Sequence, residues 1–292
     1  MISIIIPTYN QRGFLTNAIN SALSQSYQDV EVIVVDDNNP DTEARIKTEQ
    51  LMAAYADNPK VRYLKHEHNK NGSAARNTGF RASKGDFIAF LDDDDYFFQE
   101  KLTRQVDFLD KHPEFDAVYT SVKVDDKVCK TLPFEGNLLV PLLKERTRMF
   151  TSSLLFRRGS IECIGGFDES FRRHQDYELM IKFFVNGFKV GYIPEVLTGY
   201  NSIGGNRLQG KALEGLKEKY LNQFSSVIED LDRERPGLKR SIVVNNYASV
   251  FFSHVASRQY RRAIAVFLKY FSLSPTAFIS YLCFFAKMHL KK

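Results

Sequence analysis

The chain opens on a short apolar run, residues 2–6, cut off by the turn formers Pro7-Thr8-Tyr9-Asn10, and the same alternation recurs through the first third of the sequence. Bulky and β-branched residues over four to six positions, bounded by turn residues, predict strands buried on both faces. By that rule residues 2–6, 30–35, 61–64 and 87–91 are strands. Between them, Phe14, Leu15, Ala18, Ile19, Ala22 and Leu23 recur at helical spacing and mark a helix over 14–27. A second helix is expected from Asp41-Thr42 to about Ala56, and a third from Asn71-Gly72-Ser73 to near Gly85. Strands alternating with helices of ten or more residues imply a parallel sheet with right-handed crossovers, so their carboxyl ends share one edge.

The second half continues with an amphipathic helix over 99–111 stopped by His112-Pro113, and with strands over 117–124 and 149–156. Gly165-Gly166-Phe167-Asp168-Glu169 reads as a turn, and a helix runs from His174-Gln175-Asp176 through Phe184 to a stop near Asn186-Gly187. Beyond about residue 206 the alternation gives way to helices over 212–231, 238–256, 259–271 and 275–290. The pattern therefore predicts an α/β domain over 1–205, with a mostly parallel central sheet flanked by helices, and a C-terminal helical region over 206–292.

Polar residues at the strand ends carry the candidate chemistry. Strand two ends in Asp36 and Asp37, and strand four ends in Asp92, Asp93, Asp94 and Asp95. Ligands of open α/β sheets bind at that edge. Extended backbone would put Asp92 and Asp94 on one side, which suits a divalent cation whose octahedron is completed by phosphates and water. The plainer reading is a solvated acidic turn. No Gly-x-Gly-x-x-Gly turn follows strand one and no Walker A loop is present, so neither a dinucleotide fold nor a P-loop is supported. A different nucleotide site can be assembled: Tyr9 offers an aromatic face, Asp37 can accept from a base N–H, and Arg76 can reach base or phosphate. Singly, such a Tyr is as well explained by packing and such an Arg by a surface ion pair.

Composition adds limits. A net charge of +5 suits phosphorylated substrates or an anionic membrane surface, and without a basic motif it does not argue for nucleic acid. Cys129, Cys163 and Cys283 are widely separated and lack metal-ligand spacing, so they are expected as reduced, mostly buried thiols of a cytoplasmic protein. The N-terminal run is too short, and lacks the basic leader, for a signal peptide. Residues 277–286 are nearly all apolar and are followed by Lys287, His289, Lys291 and Lys292. That is short of a bilayer span, and it fits either an interfacial helix on the inner membrane face or a helix packed on its own domain or another subunit.

Four motifs in register, Ile4-Ile5-Ile6-Pro7-Thr8-Tyr9-Asn10, Val34-Val35-Asp36-Asp37-Asn38, Ala75-Arg76-Asn77-Thr78-Gly79 and Phe90-Leu91-Asp92-Asp93-Asp94-Asp95, resemble the inverting family 2 glycosyltransferases of GT-A fold. The resemblance covers about residues 1–205 and implies a nucleotide-sugar half over 1–97 and an acceptor half over 98–205. It implies that Pro7, Tyr9, Asp37 and Arg76 hold the base of a nucleotide-sugar, that Asp92 is the ribose or phosphate-side residue, that Asp93 belongs to the same nucleotide-binding set, and that Asp94 coordinates Mg²⁺ or Mn²⁺ on the diphosphate. Gly165-Gly166-Phe167-Asp168-Glu169 and Gln175-Asp176 resemble two further family motifs, with Gln175 in place of a frequent Glu, and Asp176 matches the catalytic base. Asp176 and Glu178, two apart on a helix, cannot both face one site. The expected enzyme moves a sugar, first of all from a UDP-sugar, to a hydroxyl of a glycan or lipid-linked acceptor in surface polysaccharide synthesis. A sugar nucleotidyltransferase and a non-catalytic nucleotide-sugar-binding protein are the competing readings.

Overall fold

The computed structural model describes residues 1–10, 13–125, 127–129, 134–147, 149–201 and 208–290, with side chains as far as 287. The strands are β1 (Ile2–Thr8), β2 (Val30–Asp36), β3 (Val61–Lys65), β4 (Phe87–Phe90), β5 (Tyr96–Phe97), β6 (Ala117–Val124), β7 (Lys127–Cys129), β8 (Leu154–Arg157) and β9 (Val190–Tyr200). The helices are α1 (Leu15–Leu23), α2 (Glu43–Ala53), α3 (Gly72–Ala82), α4 (Lys101–Lys111), α5 (Leu139–Leu143), α6 (Arg158–Cys163), α7 (Gln175–Val185), α8 (Gly210–Gln223), α9 (Ser225–Glu234), α10 (Leu238–Ala256), α11 (Tyr260–Leu273) and α12 (Pro275–Leu290).

The strands form one sheet in the order β3-β2-β1-β4-β8-β6-β9-β5, with β7 on β6. β3, β2, β1 and β4 are mutually parallel, as the βα alternation requires, so their carboxyl ends do lie along one edge. β8 runs antiparallel to both β4 and β6, while β6 and β9 are parallel. Ile2, Ile4, Ile6, Val32, Val34 and Ala89 are buried on one face of the sheet with Leu15, Ala18 and Ile19 of α1. Ile33 and Val35 pack with Ala75 of α3 on the other face. Both faces are therefore covered, which is why these strands read as continuous apolar runs.

Several expectations are corrected. The strand over 149–156 is shorter, β8, because residues Thr151–Ser153 form a 3-10 turn first. β9 was not expected from the sequence at all. Its Pro194 cannot donate to a ladder, and the register of β6 on β9 slips between Thr120 and Val122 opposite it, so a bulge absorbs the residue that argues against a strand. The helix over 212–231 is two helices broken at Phe224. The thiols are not buried: Cys163 and Cys283 are exposed and Cys129 is half-buried.

The chain divides into two compact units, residues 1–139 with 148–203, and residues 140–147 with 204–292. Residues 1–97 and 98–139 lie together in the first unit. The expected boundary at 205 lies outside the described residues. The helical unit also takes in 140–147, a stretch on which the pattern said little. There Glu145 is ion-paired with buried Lys217, Asn246 Nδ2 donates to the Leu143 carbonyl at 2.8 Å, and Arg146 lies 4.8 Å over the Phe284 ring. Within this unit Phe278 and Tyr281 of α12 are buried in a core with Val244, Ala248, Val266 and Tyr270. The apolar run 277–286 is therefore largely spent on packing. Among the described residues no helix is long and apolar enough to cross a membrane; the side chains of His289, Lys291 and Lys292 lie outside them.

Candidate active site

At the carboxyl edge of β1, β2 and β4 an open cleft of about 240 Å³ is lined by Pro7, Thr8, Tyr9, Asp37, Gly72, Ala75, Arg76, Asp92, Asp93 and Asp94. All seven residues expected to hold nucleotide or metal converge there. Tyr9 is 52% exposed, so core packing does not account for it. Asn10, at φ 50°, carries the loop on, and its N–H donates to Asn38 Oδ1 at 2.8 Å, joining the ends of β1 and β2.

Asp36 and Asp37 have different duties. Asp36 is fully buried, ion-paired to Arg45 at 3.0 Å and accepting from Tyr63 OH at 2.6 Å. Asp37, 2% exposed, accepts from His66 Nδ1 at 2.7 Å, the Lys70 and Asn71 amides at 2.8 and 2.9 Å, and Asn69 Nδ2 at 2.8 Å. Four bonds fill a carboxylate's acceptor sites, so in this arrangement Asp37 ties the loop before α3 to the cleft floor and keeps no open lone pair for a base. His66 continues the chain through Nε2, 2.9 Å from Thr78 Oγ1. Asn71, at φ 89°, caps α3 by accepting from the Ser73 and Ala74 amides.

The acidic run is not extended. The Asp95 amide donates to the Asp92 carbonyl at 3.0 Å, closing a turn, so the alternation placing Asp92 and Asp94 on one side does not apply. Of the four acids the turn buries only Asp95. Asp93 accepts from the Thr8 hydroxyl at 2.5 Å, and burial, reinforced by Asp94 and Asp92, pushes it up to about 7. Asp95 accepts from Ser152 at 2.6 Å and from the Asn201 amide at 3.3 Å, and burial pushes it up as well. Asp92, Asp93 and Asp94 are all half-buried on the cleft wall, Asp92 at 34% side-chain exposure. Among the described residues no group of three or more His, Cys, Asp or Glu is placed to hold a metal. One or two carboxylates suffice for a Mg²⁺ that keeps waters and phosphate oxygens, so Asp92 and Asp94 fit such an ion.

Arg76 joins this wall to the other half of the cleft. Its guanidinium pairs with Asp92, donates to Gln175 Oε1 at 2.7 Å, and lies 5.4 Å over the Phe167 ring. Phe167 is edge-on to Phe90 at the end of β4, 5.0 Å away. Asn77, one residue on, donates to the Phe167 carbonyl and accepts from its amide, both at 2.9 Å. Gly166, at φ 71°, packs so closely on Asn77 that a Cβ would overlap it. The Ala-Arg-Asn and Gly-Gly-Phe motifs are thus two sides of one joint.

That joint delivers Asp176. It occupies the first turn of α7, after His174 in a left-handed conformation at φ 55°, and is half-buried. Asp176 is not one of the residues lining the cleft, but burial raises its carboxyl above the usual range; the Tyr177 amide, Arg76 and its own backbone oppose this and Asp92 adds to it. Glu178 faces away, fully buried, accepting from the Asp168 amide at 3.1 Å and pairing with Lys182 at 3.1 Å. The sequence reading missed Tyr200, whose phenol is pushed up to about 12 by burial and by the field of Asp95, Asp92, Asp94 and Asp176. It also missed Asn201, whose Nδ2 donates to the Asp94 carbonyl, and Ser152. Only their position at the ends of β9 and β8 marks them, and β9 has no regular alternation of its own to read.

Residues 3–175 match the family described as Glycosyl transferase family 2. The chain belongs to that family. Residues of this family 2 chain are 31% identical over 271 residues to an uncharacterized glycosyltransferase of Rickettsia prowazekii, covering 88% of this chain and 79% of that one. They are 28% identical over 212 residues to the amylovoran biosynthesis glycosyltransferase AmsB of Erwinia amylovora, covering 69% of each. The first relatives vary in length, and of the Rickettsia conorii relative this chain spans 31%. Among solved structures, S. aureus TarS 1–349 in complex with UDP-GlcNAc superposes with a TM-score of 0.60 at 18% identity, over 86% of this chain and 81% of that one. The curled, largely parallel sheet with flanking helices is accordingly the GT-A architecture.

Proposed function

We propose that this family 2 chain is an inverting glycosyltransferase that moves a sugar from a nucleotide-sugar, first of all a UDP-sugar, to a hydroxyl of a glycan or lipid-linked acceptor. The observation that carries this is Arg76, which pairs with Asp92 on the donor wall and with Gln175, the neighbour of Asp176. It supports a single cleft with a diphosphate side and a base side. The UDP-GlcNAc named in the TarS complex and the amylovoran biosynthesis named for AmsB support the donor class and a setting in surface polysaccharide assembly. Exposed, unpaired Cys163 and Cys283 support work on the reducing, cytoplasmic side.

In this reading Tyr9 stacks on the base at the open side of the cleft and Pro7 bounds it. Asp37 shapes the floor through the 66–71 loop, Asp92 orients Arg76 toward ribose and phosphate, and Asp93 holds β1 to the turn through Thr8. When bound at Asp94 beside Asp92, Mg²⁺ or Mn²⁺ supplies positive charge to the diphosphate leaving group. Asp176 takes the acceptor hydroxyl's proton as that oxygen attacks the anomeric carbon from the face opposite the diphosphate. Its raised pKa makes it a stronger proton acceptor than an ordinary carboxylate.

The test is a screen of UDP-sugars for acceptor-dependent release of UDP, with and without chelator. UDP release that the chelator abolishes, and that Asp94→Asn lowers by about 10²-fold or more, is the expected outcome. Pyrophosphate as product would make the protein a nucleotidyltransferase, and full activity of Asp94→Asn would remove the metal from this site.

A further inference from the structure

Charge is segregated along the chain. Residues 235–292 contain ten Lys and Arg and no Asp or Glu, whereas residues 1–234 contain 30 against 35. In the middle of the basic stretch lies α11, which has two surfaces. Ala263, Val266 and Tyr270 are buried toward the helical core. Tyr260, Ile264 and Leu268, spaced four apart and so stacked on one face, are 59%, 58% and 63% exposed. Arg261 and Lys269 are exposed on the adjoining row of the same helix. Glu214 of α8 approaches Arg262 at 3.8 Å, which leaves those two cations uncompensated by that acid. A lone exposed Leu needs no explanation, but a continuous apolar row with cations beside it does.

We propose that the outer face of α11 docks on an anionic phospholipid surface. Tyr260, Ile264 and Leu268 enter the headgroup boundary, while Arg261 and Lys269 pair with lipid phosphates above it. An interfacial helix needs this arrangement, an apolar row with basic neighbours, and the two attractions reinforce each other. The charge argues against a second copy as the occupant, because a two-fold contact would bring the same cations face to face. The apolar run of α12 does not serve, since Phe278 and Tyr281 are spent on the core. This surface is independent of the sugar-transfer reading and survives its failure.

The test is co-sedimentation of the full chain with phosphatidylcholine vesicles containing about one-third phosphatidylglycerol, against pure phosphatidylcholine. The chain is expected to bind the first and not the second, and to be released by salt at about 0.5 M. Replacing Arg261 and Lys269 by Ala should lower the partition coefficient about 30-fold, the loss of two surface cations. Ile264→Ser with Leu268→Ser should lower it about 10-fold while leaving the thermal midpoint about unchanged, because both sites are exposed. If that pair destabilises the chain, Leu268→Ala alone makes the same measurement. A chain that ignores anionic vesicles at low salt overturns the proposal. So does binding that falls with the cations but not with Ile264 and Leu268. A dimer in solution that the Ile264 and Leu268 changes dissolve, without vesicle binding, assigns this face to a second copy instead.

Discussion

At the scale of single residues, the site turns on which carboxylates are spent on structure and which are left for chemistry. Asp36, Asp95 and Glu178 are buried and bonded to named partners; Asp92, Asp93 and Asp94 line the cleft, and Asp176 is half-buried on α7 next to Gln175, which accepts from Arg76. Asp176→Asn should therefore keep UDP binding and lower kcat by about 10²- to 10⁴-fold, the usual loss of a general base. Its raised pKa sets the sign of the pH effect: kcat falls as pH drops through that value, because the protonated acid cannot accept, and this acidic limb should disappear in the mutant. Parallel Asp168→Asn and Glu178→Gln enzymes check the assignment, and near-normal kcat in Asp176→Asn would move the base elsewhere. Asp37 was expected to meet the base directly, but its four internal bonds make it a loop anchor. Asp37→Ala should then cost about 2–4 kcal/mol in urea unfolding as well as weakening UDP, since four donors lose their acceptor. A mutant of normal stability with weakened UDP binding would restore the direct contact.

At the scale of elements, the close approach of α3 to β1 shapes the cleft. A Cβ on Gly79 would overlap the side chain of Ile5, so the glycine of the Ala-Arg-Asn-Thr-Gly motif lets the helix carrying Arg76 lie down on the strand that ends at Pro7 and Thr8. Gly79→Ala should destabilise the chain by about 1–3 kcal/mol, the cost of overpacking a buried contact, and raise the donor's KM by displacing Arg76. Unchanged denaturant midpoint and KM would show that β1 yields freely. β9 belongs to this scale too. Its Gly199 sits under the ring of Tyr96, where a side chain would overlap, which lets β5 pair with β9 directly after the acidic turn. A two-residue strand and a strand interrupted by Pro194 have no period of their own to read, so pairing across 100 residues had to supply them.

At the scale of the whole molecule, the helical unit has its own core and depends on its last helix. Removing residues 275–292 strips Phe278 and Tyr281 from Val244, Ala248, Val266 and Tyr270, and should cost this unit about 3–6 kcal/mol, seen as a lowered thermal midpoint and dye binding to exposed apolar surface. A truncated chain that melts like the full one would return α12 to the surface. The pattern of apolar runs and helical stripes by itself determined the order β1-α1-β2-α2-β3-α3-β4, the parallel pairing of those strands and the edge on which Pro7, Tyr9, Asp37 and Asp94 meet, because burial on both faces leaves a periodic signal that needs no distant partner. Tertiary structure alone decided that Arg76 joins Asp92 to Gln175, that 140–147 belongs to the helical unit, and that Tyr200 and Asn201 close around the acidic turn. Those contacts join residues as far as 136 positions apart, and local hydrophobic periodicity carries no information about which distant polar groups will be brought within hydrogen-bond reach.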